Sequence, residues 1–507
     1  MTSQPSAITV TLANEIATAQ LMADLALLVG PGDVITLSGD LGAGKTAAAR
    51  AMIRYLASDD ALEVPSPTFT LAQSYESGPF PILHADLYRI NDPRELEEIG
   101  LSPLPDATLM LIEWPERAAN LMPADRIDVA LHHVADGEAD ARHAIITGFG
   151  KATGKVERLG QLRRFLDDSG YLDAERRRMA GDASTRSYAR LQRRDGPAIL
   201  MNSPARLDQA LIYNGKSYLA AVHLAEDIVP FVAIAEGLRQ HGFSAPAIFH
   251  ADLDAGFLIS EDFGSEGVLE GSPPEPVVER YEAATDVLVH LHRQQLPERL
   301  PVAGRADYII PAFDVDAMLI EVSLLLDWYL PDRGVAVTSA IRDDFNAMWR
   351  DLLTEALDVP KTWVIRDYHS PNLIWLAQRQ GLSRIGIIDF QDTVLGPCAY
   401  DVVSLAQDAR VDVSERLELA LVTRYVEGRR SAEAGFNVAE FAALYAAMSA
   451  QRNTRLLGVF ARLNRRDGKP HYLRHQPRIW TYLQRALAHP GLADMRDWYE
   501  AVIPPPA

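Results

Sequence analysis

Gly39, Gly44, Lys45 and Thr46 stand in the order G-x-x-x-x-G-K-[ST] within SGDLGAGKT. That spacing suits a polyphosphate. Glycines let successive backbone N–H groups turn toward phosphate oxygens, and a helix starting there adds the partial positive charge of its first turn. Lys45 offers a mobile cation to the β- and γ-phosphates and Thr46 a hydroxyl to Mg2+. Asp40, Leu41, Gly42 and Ala43 supply the backbone between them. Turnover needs carboxylates at neighbouring strand ends to hold metal or orient water. Asp86, ending PILHAD, and Glu113, ending TLMLIE, fit that need. A second set lies far downstream: Asp367 and Asn372 are five residues apart in WVIRDYHSPNLIW, and Asp389 ends an apolar run in IGIIDFQD. Phosphoryl transfer to a hydroxyl requires a carboxylate to accept the proton and oxygen ligands for Mg2+. Asp367 fits the base, and Asn372 and Asp389 fit the metal ligands. Both sets imply ATP and Mg2+ as cofactors.

The elements that must position these residues follow from periodicity. Before residue 150, DVITLSG, FPILHAD, TLMLIEW, RIDVALHHV and RHAIITGF read as strands, and KTAAARAMIRYLA places Ala48, Met52, Ile53 and Leu56 at helical spacing. Such alternation predicts an α/β sheet, largely parallel at its centre. GKATGKVER carries Gly, Lys and Thr without an apolar period and reads as a linker over 151–157. Beyond it, RSYARLQ, PAILMN, AIFHAD and GFLISEDF surround one helix, IVPFVAIAEGLRQHG, and from 276 onward helical patterns dominate. A β-rich small lobe over 158–270 and a helical large lobe over 271–507 follow from that pattern. Fragments ending near Phe149 and starting near Val156 are expected to fold separately.

Composition narrows the classes. A chain of 507 residues is too long for one core, and 48% apolar with 23% charged residues is ordinary for a globular protein. The sequence has no apolar run long enough to span a membrane and no basic, apolar leader at its start. Cys398 is the single cysteine, so intrachain disulfides and cysteine metal clusters are excluded. A cytoplasmic location is expected. Of the net charge of −20, residues 1–150 carry −13, with 8 Lys and Arg against 21 Asp and Glu. That segment would repel a polyanion, so no strong direct nucleic-acid binding is expected, and any link to RNA should run through another protein.

SGDLGAGKT, SPTFTL, HADLYRI and IEWPER stand in the order found in the TsaE family. The front half, residues 1–150, resembles that family, the small ATPase of bacterial tRNA threonylcarbamoyladenosine (t6A) biosynthesis. The resemblance implies a P-loop NTPase fold with Lys45 and Thr46 on phosphate and Mg2+, Asp86 at the metal and Glu113 supporting hydrolysis. It further implies partner proteins of the t6A complex, of TsaB/TsaD type, that bind tRNA. It leaves Trp114 between nucleotide or partner contact and strand-end packing, and Thr68 between a γ-phosphate sensor and a turn residue.

AGDASTRSYARL, AILMNSP, GFLISEDFG, IRDYHSPNL and IDFQDTVLGPCAYDVVSL resemble the aminoglycoside-phosphotransferase superfamily, a bilobal α+β protein-kinase-like fold. Within it they are similar to AmgK-type anomeric kinases of N-acetylmuramate and N-acetylglucosamine, which implies an amino-sugar substrate and a place in cell-wall recycling. Two positions depart from the superfamily. Ile365 stands where many members carry a catalytic-loop histidine, and Met201 near the usual phosphate-binding lysine; Arg186, Arg190 and Lys216 are candidate replacements. These departures keep two alternatives in view: a non-catalytic regulatory nucleotide-binding module, and an aminoglycoside- or choline-type kinase. Elsewhere, His290 with His292 and His471 with His475 lack the context of a metal site. Cys398 reads as packing, and Arg452, Arg455, Val459 and Arg462 read as a solvated helix face, with bidentate grip of a sugar carboxylate by arginine as the alternative.

Overall fold

The computed structural model describes residues 5–90, 107–134, 140–179, 186–206, 210–211 and 213–506. Residues 180–185, the first six of AGDASTRSYARL, lie outside the described residues. Contacts divide the chain into two compact units, Met1–Pro204 with Phe249–Asp262, and Ala205–Ile248 with Phe263–Ala507.

The first unit holds two sheets. Strands β1 (Ser6–Leu12), β2 (Val34–Ser38), β3 (Ala72–Tyr75), β4 (Ile82–Asp86), β5 (Leu109–Glu113), β6 (Arg126–His133) and β7 (Arg142–Phe149) pair in the order β1-β7-β6-β2-β5-β4-β3. β2 runs parallel to β5 and β6, and β4 parallel to β5, whereas the outer pairs are antiparallel. The expected parallel centre is therefore present. Helix α1 (Glu15–Ala26) is capped by the Asn14 side chain accepting from Ala17 N–H at 2.9 Å, and α2 (Lys45–Ala57) leaves the glycine loop directly. Ala48, Met52 and Ile53 of α2 are fully buried, so the apolar stripe read from the sequence does face the core. The second sheet, β8 (Glu175–Arg178), β9 (Ser187–Arg193), β10 (Gly196–Asn202), β11 (Ile248–Asp252) and β12 (Phe257–Glu261), has the order β11-β12-β10-β9-β8.

The segment expected to be a linker is helical. Gly150–Ala152 forms a 3-10 turn and α3 (Thr153–Asp168) follows without a break. The apolar period that identifies α3 begins only at Val156, so Gly150, Lys151, Thr153 and Gly154 concealed its first turn. Val156 and Leu159 are fully buried in the core of the first sheet, while Leu162, Phe165 and Leu166 belong to the core of the second. Burying an aliphatic side chain of this size stabilises by roughly 1.5–3 kcal/mol, so a fragment ending near Phe149 loses Val156 and Leu159 from the first core.

The same junction carries a buried ion triad. Asp24 of α1, with no exposure, accepts from Arg163 Nη1 at 2.6 Å and Arg176 Nε at 2.9 Å. These guanidinium groups come from α3 and β8, so one carboxylate ties three elements together. In the second unit, α4 (Val315–Leu324), α5 (Ala399–Ala406) and α6 (Val438–Asp467) frame the downstream polar loops. α6 approaches the α4 end so closely that a Cβ on Gly458 would lie 2.3 Å from the Leu324 carbonyl carbon. No described helix is long and apolar enough to cross a membrane.

Asp24→Ala should strand the Arg176 guanidinium without a buried counter-charge. The expected loss is about 3–5 kcal/mol, read as a lower denaturant midpoint for the first unit; an unchanged midpoint would remove the triad from any role in joining its parts.

Candidate functional sites

The glycine loop is shaped by its neighbours. Gly39 has φ 135°, and a Cβ there would lie 2.2 Å from the Leu131 carbonyl oxygen, so only glycine fits. Arg142, the first residue of β7, donates from Nε to Ala43 O at 3.0 Å and from Nη2 to Gly42 O at 3.3 Å. Lys45 Nζ donates to Gly39 O at 2.8 Å and Asp40 O at 2.9 Å and lies 3.6 Å from the centre of the Trp114 ring. Burial pushes its ammonium below the usual value, against the pull of Glu113, Glu116, Asp86 and Asp40. Parallel pairing places Asp86 opposite Glu113 at the ends of β4 and β5.

Each of these carboxylates is held. Thr46 Oγ1 donates to Glu113 Oε2 at 2.9 Å, and His84 Nε2 lies 2.8 Å from Glu113 Oε1 with no exposure. Asp86 Oδ2 accepts from Ser66 at 3.0 Å and Thr68 at 2.9 Å, while Oδ1 accepts from Tyr88 N–H at 2.9 Å. Lys45, Thr46, Asp86 and Glu113 therefore converge. Their hydroxyl and carboxylate oxygens are the hard donors that Mg2+ prefers. Trp114 is half-buried with φ 57°, packs against the core cluster of β2, β4 and β5 and stacks obliquely on Tyr88 at 5.1 Å, so it both fills the strand end and borders the site at Lys45. His84 and Arg142 were not singled out from sequence. His84 stands two residues before Asp86 on one strand, so alternation puts both on one face; that was the available signal.

In the second unit, β13 (Thr362–Val364) leads into the Asp367 loop, and β14 (Leu373–Trp375) pairs with β15 (Ile385–Ile387) to return the chain at Asp389. The hairpin expected between Asn372 and Asp389 is this pair. Asn372 Nδ2 donates to Asp367 O at 2.9 Å and lies 3.5 Å from Asp389 Oδ2; Gln391 Nε2 donates to Asp389 Oδ1 at 2.9 Å. Among the described residues, the Asn372 amide oxygen accepts no hydrogen bond, so an oxygen donor remains beside the Asp389 carboxylate, as a Mg2+ site requires. Asp367 is half-buried between the buried Arg366 and Tyr368. Burial would raise its carboxyl, but Arg455, His369, Arg452 and Arg366 outweigh it and hold it at about 2.

Ile365 carries no polar side chain, yet its loop is pinned. Asp401 of α5, fully buried, accepts from Ile365 N–H at 2.7 Å and Arg366 N–H at 3.0 Å. The Arg366 guanidinium reaches Glu321 of α4 at 2.5 Å and the Val222 carbonyl at 2.9 Å. Arg452 of α6 donates to Arg366 O at 3.0 Å, and Arg455 lies 3.0 Å from Glu321.

The reading of Arg452, Arg455 and Arg462 as a solvated face is overturned. Arg452 is 3% exposed, and the Arg455 side chain 13%. Charge on a helix face signals solvent only when no buried carboxylate waits opposite, and Glu321 and Asp367 wait here. Of the candidate phosphate cations, Arg190 lies 2.5 Å from Asp262, and the Lys216 charge helps lower the Asp314 carboxyl; Met201 is 1% exposed in β10. His292 bonds Tyr425 at 2.9 Å and His290 the Asp286 carbonyl. No cluster of three metal-ligating side chains occurs among the described residues.

Comparison with known families divides the chain earlier than its compact units do, between residues 143 and 175 and so inside the first unit. The family model of threonylcarbamoyl adenosine biosynthesis protein TsaE matches residues 12–143, and that of the phosphotransferase enzyme family matches residues 175–436. The chain belongs to both families. Its TsaE part is 40% identical over 121 residues to the tRNA threonylcarbamoyladenosine biosynthesis protein TsaE of Rickettsia conorii, covering 24% of this chain and 69% of that protein. Its phosphotransferase part is similar to two proteins named N-acetylmuramate/N-acetylglucosamine kinase. With that of Caulobacter vibrioides it is 34% identical over 364 residues, 69% of this chain and 97% of the relative. With that of Pseudomonas aeruginosa it is 33% identical over 327 residues, 63% and 86% respectively. Helix α3 falls between the two matched regions, where neither family model accounts for it.

Two histidines of the phosphotransferase part set its acid sensitivity. Burial, then Arg410, pushes His369 down to about 4; burial, then Arg474, Arg478 and Arg410, does the same to His475. Unfolded, both would titrate near their ordinary value of about 6.5. The unfolded chain thus takes up protons that the folded form refuses, and stability should fall as pH drops from about 6.5 to about 4. Asp367, depressed instead, adds a further loss only below about 4. Urea midpoints across this range should flatten in a His369→Gln, His475→Gln double variant.

Proposed function

We propose that the chain carries two ATP-consuming activities, one per family. The phosphotransferase part transfers the γ-phosphate of ATP to the anomeric hydroxyl of N-acetylmuramate or N-acetylglucosamine, in cytoplasmic recycling of cell-wall sugars. The observation that carries this reading is the convergence of the Asp367 loop, Asn372 and Asp389: Asn372 donates to the Asp367 carbonyl and lies 3.5 Å from the Asp389 carboxylate. Asp367, held at about 2, is a weak base. A loose phosphoryl-transfer transition state needs little proton abstraction before the bond to phosphorus is largely broken, and an anomeric hydroxyl is more acidic than an ordinary alcohol. Asp367 would orient that hydroxyl and take its proton late. Asn372 and Asp389 would hold Mg2+, which supplies charge neutralisation at the phosphates. The names of the relatives in Caulobacter vibrioides and Pseudomonas aeruginosa support the sugar assignment.

The rival readings find less support. A non-catalytic module would not need Asp367, Asn372 and Asp389 gathered in one place, and the absence of a histidine at Ile365 is offset by the Asp401 clamp. A cationic aminoglycoside or choline substrate favours an acidic wall, whereas the wall nearest Asp367 carries Arg452 and Arg455.

The TsaE part would hydrolyse ATP in support of tRNA t6A modification. Lys45 would exchange the Gly39 and Asp40 carbonyls for the β- and γ-phosphates. Thr46 and Asp86 would hold Mg2+, and Glu113, fixed by Thr46 and His84, would support attack by water. Proteins of TsaB/TsaD type would carry the tRNA, since this acidic part offers little to a polyanion.

Two measurements separate the activities. Asp367→Asn should lower kcat for sugar 1-phosphate formation by on the order of a hundredfold or more while sparing ATP binding. The ATPase rate, expected to be weak without partners, should survive that change. Conversely, Lys45→Ala should lose nucleotide affinity and Glu113→Ala chiefly turnover, with sugar kinase activity retained in both. Neither sugar yielding a 1-phosphate would sink the substrate assignment.

A further inference from the structure

Three arginines of α6 lie along one stripe, but they meet different partners. Arg452 is spent on the Arg366 carbonyl and Arg455 on Glu321 and the Tyr400 hydroxyl, the latter at 3.4 Å. Among the described residues, Arg462 has no such partner. Its guanidinium sits 5.0 Å from the centre of the Tyr218 ring, and its buried Nε makes no hydrogen bond. The carboxylate close by in sequence, Asp467, is bound by its own neighbour Arg466 at 2.7 and 3.0 Å. A cation that has given up water from one N–H without gaining an anion is an open position for a carboxylate, which guanidinium groups bind through paired hydrogen bonds.

Its surroundings suit a sugar acid. Tyr218 faces Tyr213 with ring centres 6.0 Å apart, so two aromatic surfaces stand beside the guanidinium. Rings of this kind pack against the apolar face of a pyranose while a charged group fixes its orientation. Asp367 sits at the Arg452–Arg455 end of the stripe, where those arginines act on its carboxyl. Arg462 is seven residues further along the helix, about 10 Å of axial rise. That span fits a sugar whose anomeric hydroxyl meets Asp367 and whose side-arm points away along α6.

We infer that Arg462 is the carboxylate-recognising residue of the sugar site and sets the preference for N-acetylmuramate, which bears a lactyl carboxylate, over N-acetylglucosamine, which lacks one. This rests on the sugar-kinase reading above. The test compares kcat/KM for both sugars in the full chain. In Arg462→Met the ratio for N-acetylmuramate over N-acetylglucosamine should fall by on the order of tenfold to a hundredfold, mainly through KM for N-acetylmuramate. Arg462→Lys keeps charge but not the fork, and should give an intermediate ratio. An unchanged ratio in both variants, or an equal loss with both sugars through KM for ATP, overturns the assignment while leaving the sugar-kinase reading intact. Wild type that phosphorylates neither sugar overturns both.

Discussion

The Asp367 loop depends on one buried carboxylate. Asp401 accepts the amides of Ile365 and Arg366, at 2.7 and 3.0 Å, from a position with no exposure. Arg366 has φ 69°, a left-handed conformation that costs a non-glycine residue about 1–2 kcal/mol. It persists because its amide, carbonyl and guanidinium are all fixed, by Asp401, Arg452 and Glu321. Charge-assisted bonds of this kind are stronger than neutral ones, and a buried carboxylate without them would be expensive. The loop is thus held through its backbone, and the residue at 365 is free to be apolar. Ile365 then serves as core.

The phosphate cradle meets the same constraint differently. Carboxylates near a polyphosphate must stay in place when a bound anion would repel them. Glu113 is tied by Thr46 and a fully buried His84, and Asp86 by two hydroxyls and an amide. Each donor is short, or rooted in an adjacent strand, so holding it costs little side-chain entropy. Arg142 fixes the cradle from outside by binding its carbonyls. In both parts the chemistry-bearing acids end strands or lie in strand-following loops, and their positions are set by polar neighbours on adjacent elements.

This explains what was legible in the sequence. Strand β2, the glycine loop and α2 are contiguous, so motif and periodicity located Lys45 and Thr46 together. Asp86 and Glu113 were found because each ends an apolar run. Asp389 was legible for the same reason, and Asp367 and Asn372 by their five-residue spacing, with β14 and β15 short enough to return the chain. Residues whose importance comes from a distant partner were not legible. Arg452 looks like a solvated charge until Arg366 and Glu321 face it, and Asp401 is an ordinary helix residue until the loop amides reach it. α3 was missed because its first turn is written in Gly, Lys and Thr and its two apolar clusters serve different cores.

That division of labour within α3 bears on why the front of this chain cannot be read as two beads on a string. A linker leaves each core complete; α3 gives Val156 and Leu159 to one and Leu162, Phe165 and Leu166 to the other. The Asp24 triad reinforces it, since Arg163 of α3 and Arg176 of β8 share a carboxylate of α1. Breaking such a buried ion pair costs more than forming it gains. Its presence therefore fixes α1, α3 and β8 to one carboxylate, whatever its net gain in stability. The P-loop helix α2 packs on α1 and touches β8 as well. The nucleotide cradle and the five-stranded sheet are consequently parts of one packed body, joined through α1, α3 and β8.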